Sequence, residues 1–416
     1  METMLSWIRA AALALLPVWL VAPVQAGTWI VDQNGGPGVH FTDLPPAIAA
    51  ALPGDVILVR GGSYTPFTLT KGLTILGKQG PWPTGTYISC CVPSHTLIAP
   101  PAGETAVLAD LQFGGDVRAI GSAGVVIMDR VLTGRTFLID QCADVRLNRH
   151  TGAGLIVKSS RFEVGSSTLN GYTQGIHGGT ALSIQGISQG LVTRTSCIGG
   201  DGDDVPIGLP GNGGDGGYGI VIQAPVPAVS QVSTLLLAGG GVSEIRGGNG
   251  GFTYFELDGS DADGLFNYKC GVWRSGCTFI AGNRVGTGAI PLRYVAGPGS
   301  FDTPISPDDP TLELIGAPSY GVPVIVKVYA TPGSVVRLNV GSTPIVAPTP
   351  GVRVDNLVSA DSTYFLGVVP ATGVISHLIQ FRRAFSTGMA LYAQAFMIDT
   401  VAGETRRTNS VPLIMR

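Results

Sequence analysis

Short runs in which apolar and polar residues alternate recur between positions 125 and 196. Four of them can be laid over one another, beginning at Val125, Val145, Phe162 and Leu191. Alternation with a period of two is what a strand needs when one face is buried. In this alignment the first and third residues of each run point inwards. The predicted inward residues include Val125, Ile127, Val145, Leu147, Phe162 and Val164, and the predicted outward residues are Val126, Arg146, Glu163 and Val192.

The spacing of these runs predicts a stack of coils. Their starts are separated by 20, 17 and 29 residues, and a glycine follows each run within ten residues. A repeat of about 20 residues is typical of solenoid architectures in which each repeat contributes one turn. The longer step indicates an insertion at a turn, and the largest insertion is predicted at 199–219.

The segment 28–77 predicts how the stack begins. A strand at 28–31 is followed by a short helix that Thr42 could cap, with Leu44, Ile48 and Leu52 on its apolar face. Three short β-rich runs follow at 56–60, 67–70 and 73–76. An open stack leaves the interior of its first coil bare, so we expect the helix to cover that end.

This segment resembles the N-terminal part of secreted proteins of the pectin-lyase-like superfamily. The matching residues are Ala47, Ile48, Ala50, Pro53-Gly54-Asp55, Ile57, Val59, Gly62 and Tyr64. The resemblance implies a right-handed parallel β-helix with a short N-terminal capping helix. It does not imply an activity, because this fold carries lyases, hydrolases, adhesins and inert stalks.

The pattern changes in the last quarter of the chain. We predict that the β-helix spans 27–296 and that the Pro-, Gly- and Asp-rich segment 297–310 is a linker. Seven strand-like runs separated by turn residues then predict a β-sandwich at 311–416. The predicted strands are 311–315, 322–330, 335–340, 364–369, 376–381, 389–398 and 409–414. The end of this segment resembles small C-terminal β-sandwich modules of secreted proteins of environmental bacteria, and the predicted fold class is all-β.

Composition agrees with short strands and tight turns. Glycine accounts for 61 of 416 residues, and charged residues make up 13% of the chain compared with about 25% in average proteins. The formal net charge is −3 and no block of basic residues occurs. The chain therefore lacks the positive patch of a nucleic-acid-binding protein.

Residues 1–26 predict a signal peptide. Arg9 precedes an apolar run at 10–24, and Val24-Gln25-Ala26 fits a cleavage site, so the mature chain would begin near Gly27. The alternative is an uncleaved anchor, but the run is short and two prolines interrupt it. We expect a secreted or cell-surface protein with no membrane span after signal cleavage.

Six cysteines are compatible with disulfides in an exported protein. Cys270 and Cys277 would close a short loop, and we predict that they are bonded. The pairing of Cys90, Cys91, Cys142 and Cys197 stays open. No C-x-x-C spacing indicates a zinc site.

Two acidic loops are candidate Ca²⁺ sites. Gly199-Gly-Asp-Gly-Asp-Asp204 matches the start of a Ca²⁺-binding nonapeptide, although Pro206 stands where a large apolar residue belongs. The second loop, at 258–264, contains Asp258, Asp261 and Asp263 but does not have EF-hand spacing. The candidate ligands are Asp201, Asp203, Asp204, Asp258, Asp261 and Asp263. The alternative for both loops is a polar turn, which in the glycine-rich insert would be flexible, and no other cofactor is expected.

Outward-facing polar residues of the coils are the candidates for catalysis. The resemblance implies that β-helix lyases remove a proton from a uronate with an Arg or Lys beside Ca²⁺, whereas hydrolases carry paired Asp residues and a G-H-G phrase. Ile176-His177-Gly178-Gly179 departs from that phrase and has no Asp pair beside it on the coils. The polar residues on or near the aligned strands are Asp129, Arg130, Arg149, His150, Arg161, Glu163 and Arg194. Their mixed charges also suit ordinary exposed ion pairs, so no catalytic residue is assigned.

We therefore expect a noncatalytic protein of the cell surface or extracellular space that presents β-helix loops for binding, with polysaccharide or a cell-surface glycan as the expected partner. The alternative is a polysaccharide lyase or glycoside hydrolase that acts on acidic glycans. An enzyme needs converging carboxylates and a base on the outer face of the coils, and this separates the two hypotheses. The ligand, the oligomeric state and attachment to the surface are left open by the sequence.

Overall fold

The structure is a computed structural model. It describes residues 26–80, 84–89, 95–172, 177–204, 214–223, 234–246, 265–268, 271–280, 294–296, 301–304, 310–347, 354–381, 385–400 and 403–416. The described chain is nearly all β, with long parallel sheets followed by an antiparallel module. The predicted fold class is therefore confirmed.

Three parallel faces, called A, B and C in the order in which the chain visits them, enclose one core. Face A consists of β1 (Thr28–Val31), β2 (Val56–Val59), β5 (Thr74–Leu76), β8 (Thr105–Ala109), β11 (Val125–Asp129), β14 (Asp144–Asn148), β17 (Arg161–Gly165), β20 (Gln189–Thr193), β23 (Thr234–Arg246), β25 (Gly271–Ile280) and β27 (Phe301–Pro304). Face B consists of β3 (Gly62–Tyr64), β6 (Thr86–Ile88), β9 (Leu111–Phe113), β12 (Leu132–Thr133), β15 (Thr151–Gly152), β18 (Thr168–Asn170) and β21 (Ser196–Ile198). Face C consists of β4 (Thr68–Leu69), β7 (Thr96–Ile98), β10 (Val117–Ile120), β13 (Phe137–Asp140), β16 (Leu155–Lys158), β19 (Leu182–Gln185), β22 (Ile220–Gln223), β24 (Leu265–Tyr268) and β26 (Tyr294–Ala296).

Each strand pairs in parallel with its equivalent one coil further along, which is the pattern of a parallel β-helix. Strand β21 pairs with the end of β23, so the long β23 extends from face A into face B. Strand β27 falls within the predicted linker 297–310 and instead adds a strand to face A by pairing with β25.

The register of face A confirms two of the four aligned runs and corrects the other two. Val145 is level with Phe162, and both lie in the core, as predicted. Val126, however, is the residue level with Val145, so it points inwards and Ile127 points outwards.

The same shift of one residue affects β20. Leu191 is level with Glu163 on the outer side, while Val192 lies in the core. The prediction failed at β11 and β20 because these strands carry apolar residues on both faces, so alternation no longer marks the inside. The outer side of face A must therefore be covered as well.

Helix α1 (Leu44–Ala50) packs against the first coils. Its N-cap is Asp43, whose carboxylate accepts from the amide of Leu44, and not Thr42 as predicted. Leu44 and Ile48 are buried against the core, but Leu52 is 60% exposed and lies beyond the helix, so the predicted apolar face was wrong at that position. The Lys71 ammonium donates to three carbonyl groups at the end of the helix, where a positive charge is favourable.

The turns from face A to face B repeat one backbone conformation. A single residue with φ between 48° and 55° stands at this corner in five successive coils, and these residues are Asp110, Arg130, Arg149, Ser166 and Arg194. Left-handed backbone is uncommon for residues other than glycine. Here the amides of the first four corner residues continue the ladder, as in Arg130 N to Asn148 O at 3.0 Å. The corner therefore projects one side chain per coil at a fixed angle.

The C-terminal module consists of two antiparallel sheets and a hairpin. The first sheet contains β28 (Thr311–Ile315), β29 (Pro323–Tyr329) and β34 (Val374–Gln380), and the second contains β30 (Val335–Gly341), β33 (Ser362–Val368), β35 (Ala390–Ile398) and β36 (Thr405–Ile414). Leu312, Val326, Leu338 and Leu413 meet in the core between the sheets. The hairpin of β31 (Pro344–Ala347) and β32 (Asn356–Val358) was not predicted.

Several predictions lie outside the described residues. They concern the signal peptide at 1–26, of which only Ala26 is described, the bond between Cys270 and Cys277, the thiols Cys90 and Cys91, and the acidic loop that contains Asp258, Asp261 and Asp263. Cys142 and Cys197 are buried thiols of the β-helix core. Within the described ranges, no helix is long and apolar enough to cross a membrane.

Candidate functional site

The C-terminal module covers the outer side of face A. Leu76, Val107, Ile127 and Leu236 on the coils form one apolar cluster with side chains of the module. The contributing module residues are Val354, Leu357, Val358, Tyr392 and Ile414. The two parts of the chain thus share an apolar contact on the face whose polar residues were the catalytic candidates.

A buried guanidinium lies at the centre of this contact. Arg146 is 4% exposed. Its Nε and Nη2 atoms donate to Asp144 Oδ2 at 2.9 and 2.7 Å. Its Nη1 and Nη2 atoms donate to the carbonyl oxygens of Leu357 and Ile345, both at 2.8 Å, and Nη1 also reaches Ser410 Oγ at 3.3 Å. Burial opposes the charge of Arg146, but the carboxylates of Asp144 and Glu163 outweigh this effect and raise its pKa.

Glu163 lies one coil further along, level with Arg146. Its Oε1 accepts from the Ser410 amide at 2.7 Å, and its Oε2 accepts from the Ser410 hydroxyl at 2.9 Å. Burial raises the pKa of Glu163 to about 7, although the charge of Arg146 and the hydrogen bonds from Ser410 act in the opposite direction. Both carboxylate oxygens are thus bonded to the module.

The corner residues form a ladder of ion pairs along one edge of face A. Arg130 Nε lies 2.7 Å from Asp110 Oδ1, and Arg149 Nη2 lies 2.6 Å from Asp129 Oδ2. The side chains of both aspartates are fully buried. Arg416 of the module also pairs with Asp110. Buried carboxylates need such partners, so these residues stabilise the corner.

Two corner arginines also reach the module. Arg149 Nη1 donates to the Gly316 carbonyl at 3.1 Å. Arg194 Nη2 lies 3.1 Å from Glu313 Oε2, and its guanidinium lies 3.8 Å from the centre of the Tyr329 ring. The arginines that were candidates for a catalytic base therefore hold the module in place.

His150 lies inside the stack, which corrects its place among the outward candidates. It is 1% exposed and packs near the Phe137 ring. Its Nε2 atom lies 3.4 Å from Thr133 Oγ1. Burial lowers the pKa of His150 to about 4, so the ring is neutral at pH 7.

A cavity of about 700 Å³ remains between face A and the module. Asp144, Glu163 and Leu357 line its buried part, and Gln189 and Val346 line its exposed rim. At the rim Arg161 Nη1 donates to Asp355 Oδ2 at 2.8 Å, which links the two parts of the chain. The full lining consists of Ala143, Asp144, Arg161, Phe162, Glu163, Gln189, Gly190, Leu191, Leu236, Val346, Val354, Asp355 and Leu357.

The described part of the glycine-rich insert is tightly packed. The Gly217 amide donates to the Gly200 carbonyl at 2.8 Å, and the Gly178 amide donates to the Asp215 carbonyl at 2.7 Å. A Cβ atom at Gly178 would overlap the backbone of Gly200, and one at Gly217 would overlap the backbone of Gly179. Glycine is needed here for close backbone approach, and the flexibility expected for this insert stays a prediction.

The acidic candidates in this insert do not converge. Asp201, Asp203 and Asp204 are exposed. No group of three His, Cys, Asp or Glu side chains that could hold a metal ion occurs among the described residues. His177 Nδ1 accepts from the Asp215 amide at 3.0 Å, and both side chains are more than half exposed.

Sequence reasoning missed the module's side of the contact, in particular Ile345, Asp355, Leu357 and Ser410. The run 125–129 held a usable signal, because four consecutive apolar residues end its alternation and indicate a strand buried on both faces. Comparison of the chain with protein-family models, curated proteins and solved structures found no match. The functional argument therefore rests on the geometry.

Proposed function

We propose that this chain is an exported, noncatalytic β-helix protein of the pectin-lyase-like superfamily that binds polysaccharide at the cell surface or in the extracellular space. One observation carries the proposal: the ionisable side chains at the centre of the outer side of face A are committed to holding the module. Arg146 donates to four acceptor atoms, and both oxygens of Glu163 accept from Ser410.

Catalysis on a glycan needs an acid or base within hydrogen-bond reach of the substrate. On face A the groups that could act as acid or base, Arg146 and Glu163, are buried and already hydrogen-bonded to the protein. Their loss would cost stability, so a structural role accounts for both residues without a catalytic one.

The expectation of a glycan partner is supported by the outer side of face B. One row of that face, read along the register, carries mainly hydroxyl and amide side chains, and none of its members is charged. The row consists of Ser63, Tyr87, Gln112, Leu132, Thr151, Thr168 and Ser196. Neutral donors and acceptors of this kind can hydrogen-bond the hydroxyl groups of a sugar chain.

Two measurements on the secreted protein test the proposal. The protein should sediment with at least one insoluble polysaccharide from a panel of neutral and uronate-containing glycans. It should release neither unsaturated uronates nor new reducing ends from them, with or without Ca²⁺. Failure to sediment with any glycan would remove the binding claim, and product formation would remove the noncatalytic claim.

An enzyme that acts on acidic glycans is the second candidate, and Glu163 is the observation in its favour. A carboxyl group with a pKa of about 7 beside a cavity has the properties of a general acid. If products form, the Glu163→Gln variant decides the matter. Loss of activity in a variant that still folds would support the enzyme.

A further inference from the structure

The cavity between face A and the module is separate from the outer surface of face B to which we assign polysaccharide binding. We propose that this cavity is a binding site for a small, uncharged, polyhydroxylated molecule of the size of a mono- or disaccharide. Its volume of about 700 Å³ lies within the range of small-molecule sites, which is about 300–1,000 Å³.

The cavity is deep and open at one end. Gln189 and Val346 at the rim are exposed, the latter by 40%, whereas Asp144, Glu163 and Leu357 are at most 5% exposed. The ion pair between Arg161 and Asp355 lies between these two zones in accessibility. A ligand would thus enter at the rim and lose its water towards the buried end.

The lining combines aliphatic and polar groups. Leu191 and Leu236 on the coils, with Val346, Val354 and Leu357 on the module, provide aliphatic surface. The side chains of Asp144, Gln189 and Arg161 provide acceptors and donors on the coil side. Aliphatic surface beside a few placed polar groups is the usual make-up of a small-molecule site. A sugar presents C–H groups and hydroxyl groups together and fits this lining.

One carboxylate oxygen is left for a ligand. Asp144 is 4% exposed and lines the cavity, and both contacts from Arg146 go to its Oδ2 atom. Within the described part of the chain, no group donates a hydrogen bond to Asp144 Oδ1. A ligand hydroxyl in the cavity can donate to this oxygen.

The charges around the cavity favour an uncharged ligand. Asp144 and Asp355 each face a guanidinium, and Glu163 is bonded to Ser410 beside Arg146. Asp355 also faces the charge of Arg407, so three carboxyl groups balance three guanidinium groups. An added carboxylate would meet no cation that is not already engaged by the protein, so a uronate should bind more weakly than a neutral sugar.

Isothermal titration of the full chain with cellobiose, maltose, lactose and digalacturonate tests this proposal. At least one neutral disaccharide should bind with one site per chain, and digalacturonate should bind at least about tenfold more weakly, which is about 1.4 kcal/mol. Val346→Trp at the rim should weaken the neutral disaccharide by about tenfold or more, because the indole would fill the entrance. Gln189→Ala should weaken it as well.

The matched control is Val322→Trp, which adds the same side chain at a 51% exposed position of the module that does not line the cavity. It should leave the affinity unchanged, and thermal melting of both tryptophan variants checks that they fold. The proposal is overturned if no neutral disaccharide binds, if Val346→Trp binds as the unchanged protein does, or if digalacturonate binds equally well. If the cavity site fails by any of these results while the protein still sediments with polysaccharide, the proposed function on the outer surface of face B stands.

Discussion

Replacing Arg146 by alanine is expected to loosen the C-terminal module from face A. The change removes the cation that faces two buried carboxylates, Asp144 and Glu163. It also removes the donor to the carbonyl groups of Leu357 and Ile345. Removing one partner of a buried ion pair costs about 3–5 kcal/mol, because the remaining charge stays buried without a counterpart. We expect Arg146→Ala to lie in this range.

The assay is urea unfolding followed by circular dichroism, together with limited proteolysis. The module should become sensitive to protease at urea concentrations that the unchanged protein resists. The matched control is Arg118→Ala on face C, where Arg118 is 39% exposed and lies 3.7 Å from Asp116. An exposed pair of this kind contributes below about 1 kcal/mol.

A second variant separates the ion pair from the packing. Changing Arg146 and Glu163 to methionine and Asp144 to leucine replaces the cation and both of its buried carboxylate partners with apolar groups. Such replacements are often neutral or stabilising, so the triple variant should recover most of the loss seen with Arg146→Ala. If Arg146→Ala costs no more than Arg118→Ala, the buried network does not hold the module and the reasoning is refuted.

Three further predictions concern pH, the core and export. Burial raises the pKa of Glu163 from 4.5 to about 7, so its contribution to stability is fully present below pH 4.5 and is lost as the pH rises through about 7. The urea midpoint of the unchanged protein should therefore fall between pH 5 and pH 8 by more than the midpoint of Glu163→Gln. An equal fall of the midpoint in both proteins would contradict this. Phe162→Ala should cost about 3–5 kcal/mol in urea unfolding because the ring is 2% exposed in the core, whereas Phe365→Ala, at a 65% exposed position, should cost far less. Mature secreted protein should begin near Gly27 by N-terminal sequencing, and a retained Met1 would argue against signal cleavage.

The sequence predicted the fold where one face of a strand is polar. Arg146 and Glu163 interrupt apolar neighbours, and this fixed the register of their strands. At Val126 the pattern gave the wrong side, because the outer neighbour Ile127 is buried against the module and is apolar too. Alternation within one strand therefore does not by itself show which face is buried. The register becomes clear only when the strand is compared with neighbours that have a polar face.

The candidate site could not be predicted because its partners are far apart in the chain. Ser410 Oγ lies 3.3 Å from Arg146 but 264 residues away in sequence, and no local pattern encodes such a contact. The short hairpin that carries Ile345 and Leu357 was missed for a related reason. Its strands contain four and three residues, which is too short for a periodic signal.

The covered face has a consequence for the order of folding during synthesis. The coils contact their neighbours only, so they can stack one after another as the chain emerges. The outer side of face A is not fully covered until β36 is made, since Ile414 belongs to the covering cluster and Ser410 lies 247 residues after its partner Glu163. During that interval Val107, Ile127 and Leu236 are exposed to water on a flat sheet, which is a surface prone to aggregation. Synthesis of this chain therefore places its greatest demand on chaperones just before the last strands are made.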